Sequence, residues 1–237
     1  MNYFRPAVLS AVVLLAAQPA LAEDKGVWSG EIEAGVAIKT GNTKSTDAQV
    51  KLRAGFSQEF WSHRLRLEAL RQTESGDKTA ESYLGQFQSN YTFSEHDYVF
   101  GVARGERDKF SGYDYQTSFA LGYGRHLWVS ELGTFDVEIG PGVRRSKLDT
   151  GEKETEVIGR LFADLKVNIS SNAKFGQEVT VLTGSDNTEI ESITALTTGL
   201  TDALALRLSF TVKHNTSVPA DTKKTDTHTS ASVVYQF

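Results

Sequence analysis

The densest group of reactive side chains lies near the end of the chain, at Lys213-His214-Asn215-Thr216-Ser217. Such a set could support nucleophilic hydrolysis, with His214 taking the proton of Ser217, Asn215 orienting the imidazole and the serine oxygen attacking an ester. The spacing opposes it. Neighbours along a strand point to opposite faces, so His214 and Asn215 serve one site only across a bend. His96, His126 and His228 stand singly, without metal-ligand spacing. The acidic pairs Asp77 and Glu81, Asp149 and Glu152, and Asp186 and Glu189 match no cation loop and read as solvated turn charge. Cysteine is absent, which removes disulfides and thiolate metal sites. No G-x-S-x-G, H-E-x-x-H or phosphate loop occurs. The expectation is a protein that is not an enzyme, without catalytic residues, metal or cofactor; a hydrolase built on Ser217 is a distant alternative.

A second set of charges is more ordered. Assigned strand by strand, Lys39, Lys51, Arg53, Arg64, Arg66, Arg107, Arg144, Arg160, Lys166, Lys174, Arg207 and Lys213 share the polar face. Glu31, Glu33, Glu59, Glu68, Asp136, Glu138, Asp164 and Glu178 fall on that face too. Basic side chains outnumber acidic ones there, against the sign of the whole chain, whose net charge is -5. Ten of these form the candidate lumen set: Lys51, Arg53, Arg64, Arg66, Glu68, Arg144, Arg160, Asp164, Lys166 and Arg207.

The elements that must carry these charges are strands. Apolar residues recur at every second position, as in Ile32, Ala34, Val36 and Ile38, then Val50, Leu52, Ala54 and Phe56. The rhythm continues through Tyr83, Phe87 and Tyr91; Tyr98, Phe100 and Val102; Phe119, Leu121 and Tyr123; and Leu204, Leu206, Leu208 and Phe210. Strand seven contains Pro141, which cannot donate to a ladder and predicts a bulge or kink. The stretch 188–201 alternates poorly, and its faces stay unassigned. About twelve strands result, each near or above the roughly 9–11 residues that cross a bilayer when tilted. No stretch approaches the roughly 20 apolar residues of a membrane helix.

Residues 1–22 read as a secretory signal peptide: Arg5 is their one charge, Ala7–Ala17 is apolar apart from Ser10, and Pro19-Ala20-Leu21-Ala22 closes on small residues. Cleavage near Ala22 leaves residues 23–237 as one domain of net charge -6, with no basic run for nucleic acid. Odd-numbered connections, as at Leu148–Glu154 and Ser217–Asp226, read as longer and charged. Even-numbered ones, as at Trp61–His63, Ser170–Ala173 and Thr201–Ala203, read as short. That is the bacterial outer-membrane pattern, with short periplasmic turns. Trp28, Trp61 and Trp128 fall at the short-turn end, where a membrane-interface girdle sits. The fold class predicted is all-β: a transmembrane antiparallel up-and-down barrel of about twelve strands in a bacterial outer membrane.

Trp28-Ser-Gly-Glu-Ile-Glu-Ala-Gly35 followed by Thr40-Gly-Asn-Thr-Lys-Ser45 resembles the opening of the YdiY-like family of salt-induced outer-membrane proteins. Arg107-Asp-Lys-Phe-Ser-Gly112 and Gly140-Pro-Gly-Val-Arg144 resemble that family's internal signatures. The resemblance spans the mature chain and implies an outer-membrane β-barrel; it carries over no catalytic residue.

A barrel of this size lies between side-chain-filled eight-stranded barrels and water-filled sixteen-stranded ones. Two readings stand: a narrow pore for small solutes with a preference for anions, and a structural or envelope-stress barrel whose lumen is plugged by Arg–carboxylate pairs. Outer-membrane lipid and lipopolysaccharide are the expected surroundings. The chain ends Val233-Val234-Tyr235-Gln236-Phe237. Val233, Tyr235 and Phe237 resemble the aromatic signal read by the barrel-assembly machinery, so the last strand is expected to direct insertion and then pair with the first.

Overall fold

A computed structural model describes residues 26–40, 45–74, 77–108, 113–148, 150–218 and 223–237. The predicted signal peptide lies outside the described residues. Twelve strands follow in chain order: β1 Val27–Thr40, β2 Ser45–Gln58, β3 Trp61–Glu74, β4 Asp77–Thr92, β5 Asp97–Asp108 and β6 Tyr113–Ser130, then β7 Gly133–Leu148, β8 Lys153–Asn168, β9 Ala173–Thr183, β10 Thr188–Gly199, β11 Leu204–Asn215 and β12 Thr225–Gln236. Each pairs antiparallel with its sequence neighbours, and β12 pairs with β1 to close the barrel. Closure leaves no open edge, the condition for a sheet in hydrocarbon. The strands run from 11 residues in β9 to 18 in β6, enough to cross a tilted span.

The polarity of a soluble barrel is reversed. Leu121, Ile139, Leu161, Leu206 and Leu208 are exposed on the outside, while Glu33, Gln49, Lys51, Glu138 and Arg160 are buried inside. At the end bearing the termini, hydroxyl side chains hold the turns. Ser94 Oγ accepts from the amides of His96 and Asp97, Ser130 Oγ from Leu132, Ser170 Oγ from Asn172 and Ala173, and Thr201 Oγ1 from Ala203 and Leu204. This is the Ser/Thr turn, which supplies a local acceptor to backbone amides.

Four expectations are corrected. The turn expected at Trp61–His63 is Glu59–Phe60 instead, with Glu59 at φ 41°, and Trp61 already opens β3. The contrast in connection length rests mainly on residues 216–224; β7 and β8 extend over Leu148 and Lys153, so Leu148–Glu154 shrinks to the connection 149–152. Pro141 causes no bulge: it faces Gly159 of β8 in unbroken register. On its other side, the β6–β7 ladder simply lacks pairing between Ala120↔Gly142 and Tyr123↔Ile139. The bulges in that pair lie at Tyr113–Tyr115 and His126–Trp128.

The fourth concerns β5. Tyr98, Phe100 and Val102 face the lumen, buried with Ala120, rather than lipid. Their rings fit because glycines of β6 supply space. A Cβ at Gly124 would lie 2.3 Å from Tyr98 Cε2, and one at Gly122 would lie 2.7 Å from Phe100 Cε1. The wedge of rings fills one side of the barrel. By the same parity Arg104 and Glu106 point inward, and Arg107 points out.

Candidate functional site

The lumen is the site, built by alternation. On β1, Glu31 and Glu33 face in; Gln49, Lys51 and Arg53 do so on β2, and Arg64, Arg66 and Glu68 on β3. Arg207 of β11 reaches the seam and donates from Nη1 to Glu31 Oε1 at 2.6 Å and Glu33 Oε2 at 2.9 Å, and from Nη2 to Glu31 Oε2 at 2.8 Å. Arg53 Nη1 shares Glu31 Oε1 at 2.6 Å. Lys51 Nζ lies 3.8 Å from Glu33, whose Oε1 also accepts from Ser232 Oγ at 2.8 Å and Gln49 Nε2 at 3.2 Å. These bonds stitch together β1, β2, β11 and β12 from within.

Other ion pairs cross the barrel. Arg66 of β3 donates from Nε to Glu68 at 2.7 Å, from Nη1 to Glu178 of β9 at 3.1 Å and from Nη2 to Glu191 of β10 at 3.4 Å. In the strand order β3 and β9 stand on opposite walls. Arg104 of β5 donates to Glu106 and to Glu191, both at 2.9 Å, and Lys213 of β11 donates to Glu106 at 2.6 Å. Glu189 lies 3.7 Å from Arg104 and 3.8 Å from Lys213. Together these side chains form a crossbar that bridges the lumen.

Beside it, Glu138 of β7 is enclosed by donors. Arg160 Nη1 reaches Glu138 Oε2 at 2.6 Å, while its Oε1 accepts from Gln88 at 2.6 Å, Tyr98 Oη at 3.0 Å and Arg64 at 3.2 Å. The Arg160 guanidinium lies over Phe100 at 5.1 Å and Phe162 at 4.9 Å, a cation–π sandwich that binds the aromatic wedge to the charged lining. Toward the other end, Arg144 donates from Nε and Nη2 to Glu156 Oε1 at 2.9 and 2.6 Å and from Nη2 to the Asn187 carbonyl at 2.6 Å.

Between the crossbar and the end bearing the termini lies a cavity of about 590 Å³, a vestibule lined by Arg53, Arg64, Lys166, Lys174, Gln86 and Thr197, among others. Asp164, buried, accepts from Lys166 Nζ at 2.6 Å, yet the Lys166 side chain stays 64% exposed. Lys174 is exposed and makes no ion pair among the described residues. The groups most open to the vestibule are therefore cations.

The ten candidate lumen residues all lie on the inward face. The wider charge assignment needs correction. Arg107 points outward, Glu59 sits in a turn, and the Lys39 side chain lies outside the described residues. Arg104, Glu106, Glu156, Glu189 and Glu191 were missed and add mostly acid, which removes the basic excess. Their signal was the continuation of Tyr98, Phe100 and Val102 into Arg104 and Glu106, and of Ile193 back into Glu191 and Glu189.

Trp28 and Trp61 are exposed at the end bearing the termini, with Trp28 4.8 Å from Phe56 and Trp61 5.1 Å from Tyr91 between ring centroids. Trp128, half-buried at that end, stands opposite Phe135 just past the His126–Trp128 bulge. Val233 and Tyr235 face outward beside lipid-facing Ala34 and Ile32 of β1.

The Ser217 set disperses. His214 Nδ1 contacts Thr225 Oγ1 at 2.8 Å, whereas Asn215 Oδ1 accepts from Asn187 Nδ2 and the Ser217 amide donates to Asn187 Oδ1. Among the acid pairs, Glu189 belongs to the crossbar, and the side chains of Asp77, Glu81 and Asp149 lie outside the described residues. No group of three or more potential metal ligands occurs among the described residues.

Comparison with known proteins agrees with this architecture. The Escherichia coli K12 protein YdiY is 28% identical over 221 residues, covering 91% of this chain and 86% of YdiY. The NanC porin superposes with a TM-score of 0.60 at 10% identity, covering 86% of this chain and 98% of NanC. The KdgM porin, solved with disordered oligogalacturonate, superposes with a TM-score of 0.52 at 10% identity over 87% of this chain and 99% of KdgM. At such identities the likeness concerns the fold, that of an outer-membrane barrel. The model of the family described as proteins of unknown function, DUF481, matches residues 32–237, and the chain belongs to that family.

Proposed function

We propose that this barrel is a narrow outer-membrane channel for small hydrophilic solutes, with a mild preference for anions and a conductance limited by the crossbar. The observation that carries this reading is the 590 Å³ vestibule, which exposes Lys166, Lys174, Arg64 and Arg53 and ends at the ion pairs of Arg66 with Glu178 and Glu191. A solute entering from the terminal end meets cations whose field favours negative charge. It then meets a polar barrier made, among the described residues, of side chains. The porin character of NanC and KdgM supports a conducting role for this shape of barrel. In the same reading a signal peptide is removed near Ala22, the barrel-assembly machinery reads Val233, Tyr235 and Phe237, and Trp28, Trp61 and Trp128 mark the periplasmic interface; expression rises with external salt.

The cross-lumen bonds and the aromatic wedge also favour a second reading, a barrel that stays closed and serves the envelope structurally. Single-channel recording in planar bilayers separates the two. The channel reading expects small, discrete steps with chloride more permeant than potassium. Silence in both the native chain and a variant lacking the crossbar cations would leave the structural reading standing.

A further inference from the structure

Gly85 and Gly105 are direct cross-strand partners on the lipid side of β4 and β5. Nothing among the described residues requires either to be glycine. Neither has a positive φ. A Cβ at Gly85 would meet only Leu67 Cδ2 at 3.6 Å, and one at Gly105 only Thr117 Cγ2 at 3.9 Å, both ordinary contacts. Glycine within a strand costs backbone entropy and forfeits packing. What the pair creates is a groove of about 610 Å³ in the outer wall, with Leu67, Tyr83, Tyr115 and Thr117 along its sides and Arg107 at its rim.

The row continues into charge. Thr117 pairs with Gly105 on one side and Arg145 on the other, and its hydroxyl donates to the Arg145 carbonyl at 3.4 Å. Arg107 and Arg145 are both exposed on this outward face, the Arg107 side chain at 56%. The nearby carboxylate among the described side chains is Asp114, 3.5 Å from Arg107 and already bonded to Lys147 Nζ at 2.7 Å. Both arginines lie toward the end opposite the termini, which is the outer leaflet when the termini are periplasmic.

We propose that this surface binds a phosphorylated glycolipid of the outer leaflet, with one acyl chain in the Gly85–Gly105 groove and its phosphates on Arg107 and Arg145. Guanidinium suits phosphate through paired, charge-assisted bonds. A second copy of the chain is a poorer occupant, because a two-fold contact would bring like-charged arginines together at the rim. The site is independent of whether the lumen conducts.

Native mass spectrometry on the full barrel in detergent, washed with a chelator, tests it. The competing probes are bis-phosphorylated lipid A, the same lipid without phosphates, and phosphatidylethanolamine. The native chain should prefer bis-phosphorylated lipid A. Arg107→Ala with Arg145→Ala should weaken that lipid by roughly thirtyfold, as for two arginines at an anionic surface, and leave the dephosphorylated form unchanged. Gly85→Leu with Gly105→Leu should weaken both glycolipids while heat-modifiable mobility is retained. Should the leucine pair fail to fold, the arginine pair decides alone. Equal binding of all three lipids by the native chain, unchanged affinity in the arginine pair, or a dimer that lipid does not displace would each overturn the proposal.

Discussion

Phe237 closes the barrel on Gly30. The Phe237 amide donates to the Gly30 carbonyl at 3.0 Å, the Gly30 amide donates to the Phe237 carbonyl at 2.9 Å, and the ring occupies the space a side chain at Gly30 would need. A Cβ there would lie 2.3 Å from Phe237 Cζ. The terminal aromatic residue thus belongs to the seam and has a glycine seat on the first strand. Deleting Phe237 should lower the fraction of chain that reaches the heat-modifiable form while export across the inner membrane continues. Gly30→Val should reproduce part of that loss by displacing the ring. Full assembly of both variants, measured by gel mobility of outer-membrane fractions, would show that the contact is dispensable.

The crossbar makes a paired prediction about conductance and stability. Arg66 has three carboxylate partners on three strands. Arg66→Ala removes the shared cation and leaves the largely enclosed Glu68 and the buried Glu191 without it, a change that typically costs about 3–5 kcal/mol. The variant should unfold at lower denaturant and, once inserted, conduct more than the native chain. Adding Glu191→Gln should recover part of the stability and keep the larger conductance. Larger steps without lower stability would mean that the pairs gate the lumen but do not hold it.

How much of this was legible in the chain depends on the range of the interaction. Alternation is local, so the strands, their approximate number and the inward set from Lys51 to Arg207 could be read directly. The faces of β5 could not. Tyr98 and Phe100 look lipid-facing by polarity, and their inward direction depends on Gly122 and Gly124 of the next strand, a correlation between two segments. In β10 both faces mix polar and apolar residues: Glu189 and Glu191 share one with Ile193, Ser192 and Thr194 the other with Ile190. The pairing of Arg66 with Glu178 is less legible still, since it follows from the barrel's circumference placing β3 opposite β9.

The glycine seats give a sharp contrast in stability. Gly124→Ala places a methyl group 2.3 Å from the Tyr98 ring, and Gly122→Ala meets the Ile139 carbonyl at 2.2 Å. Each should destabilise by about 1–3 kcal/mol, the usual cost of overpacking. Gly176→Ala meets nothing within 4 Å among the described residues and should be neutral or slightly stabilising. Equal thermal midpoints for all three variants would remove the seating argument for the aromatic wedge.

The vestibule cations should set selectivity more than the crossbar does, because paired charges present little net field to a passing ion. Lys174 carries its charge without an ion-pair partner among the described residues, and Lys166 is mostly exposed despite its bond to Asp164. Lys174→Glu with Lys166→Glu should move the reversal potential in a salt gradient toward cation preference with little change in single-channel conductance, since neither side chain belongs to the crossbar. Neutral glutamines at both positions should give an intermediate potential. The shift should shrink as salt rises from 0.1 to 1 M, where the screening length falls from about 10 to about 3 Å. A reversal potential unmoved by the glutamates would place the selectivity elsewhere in the lumen, with Arg53 and Arg64 as the next positions to alter.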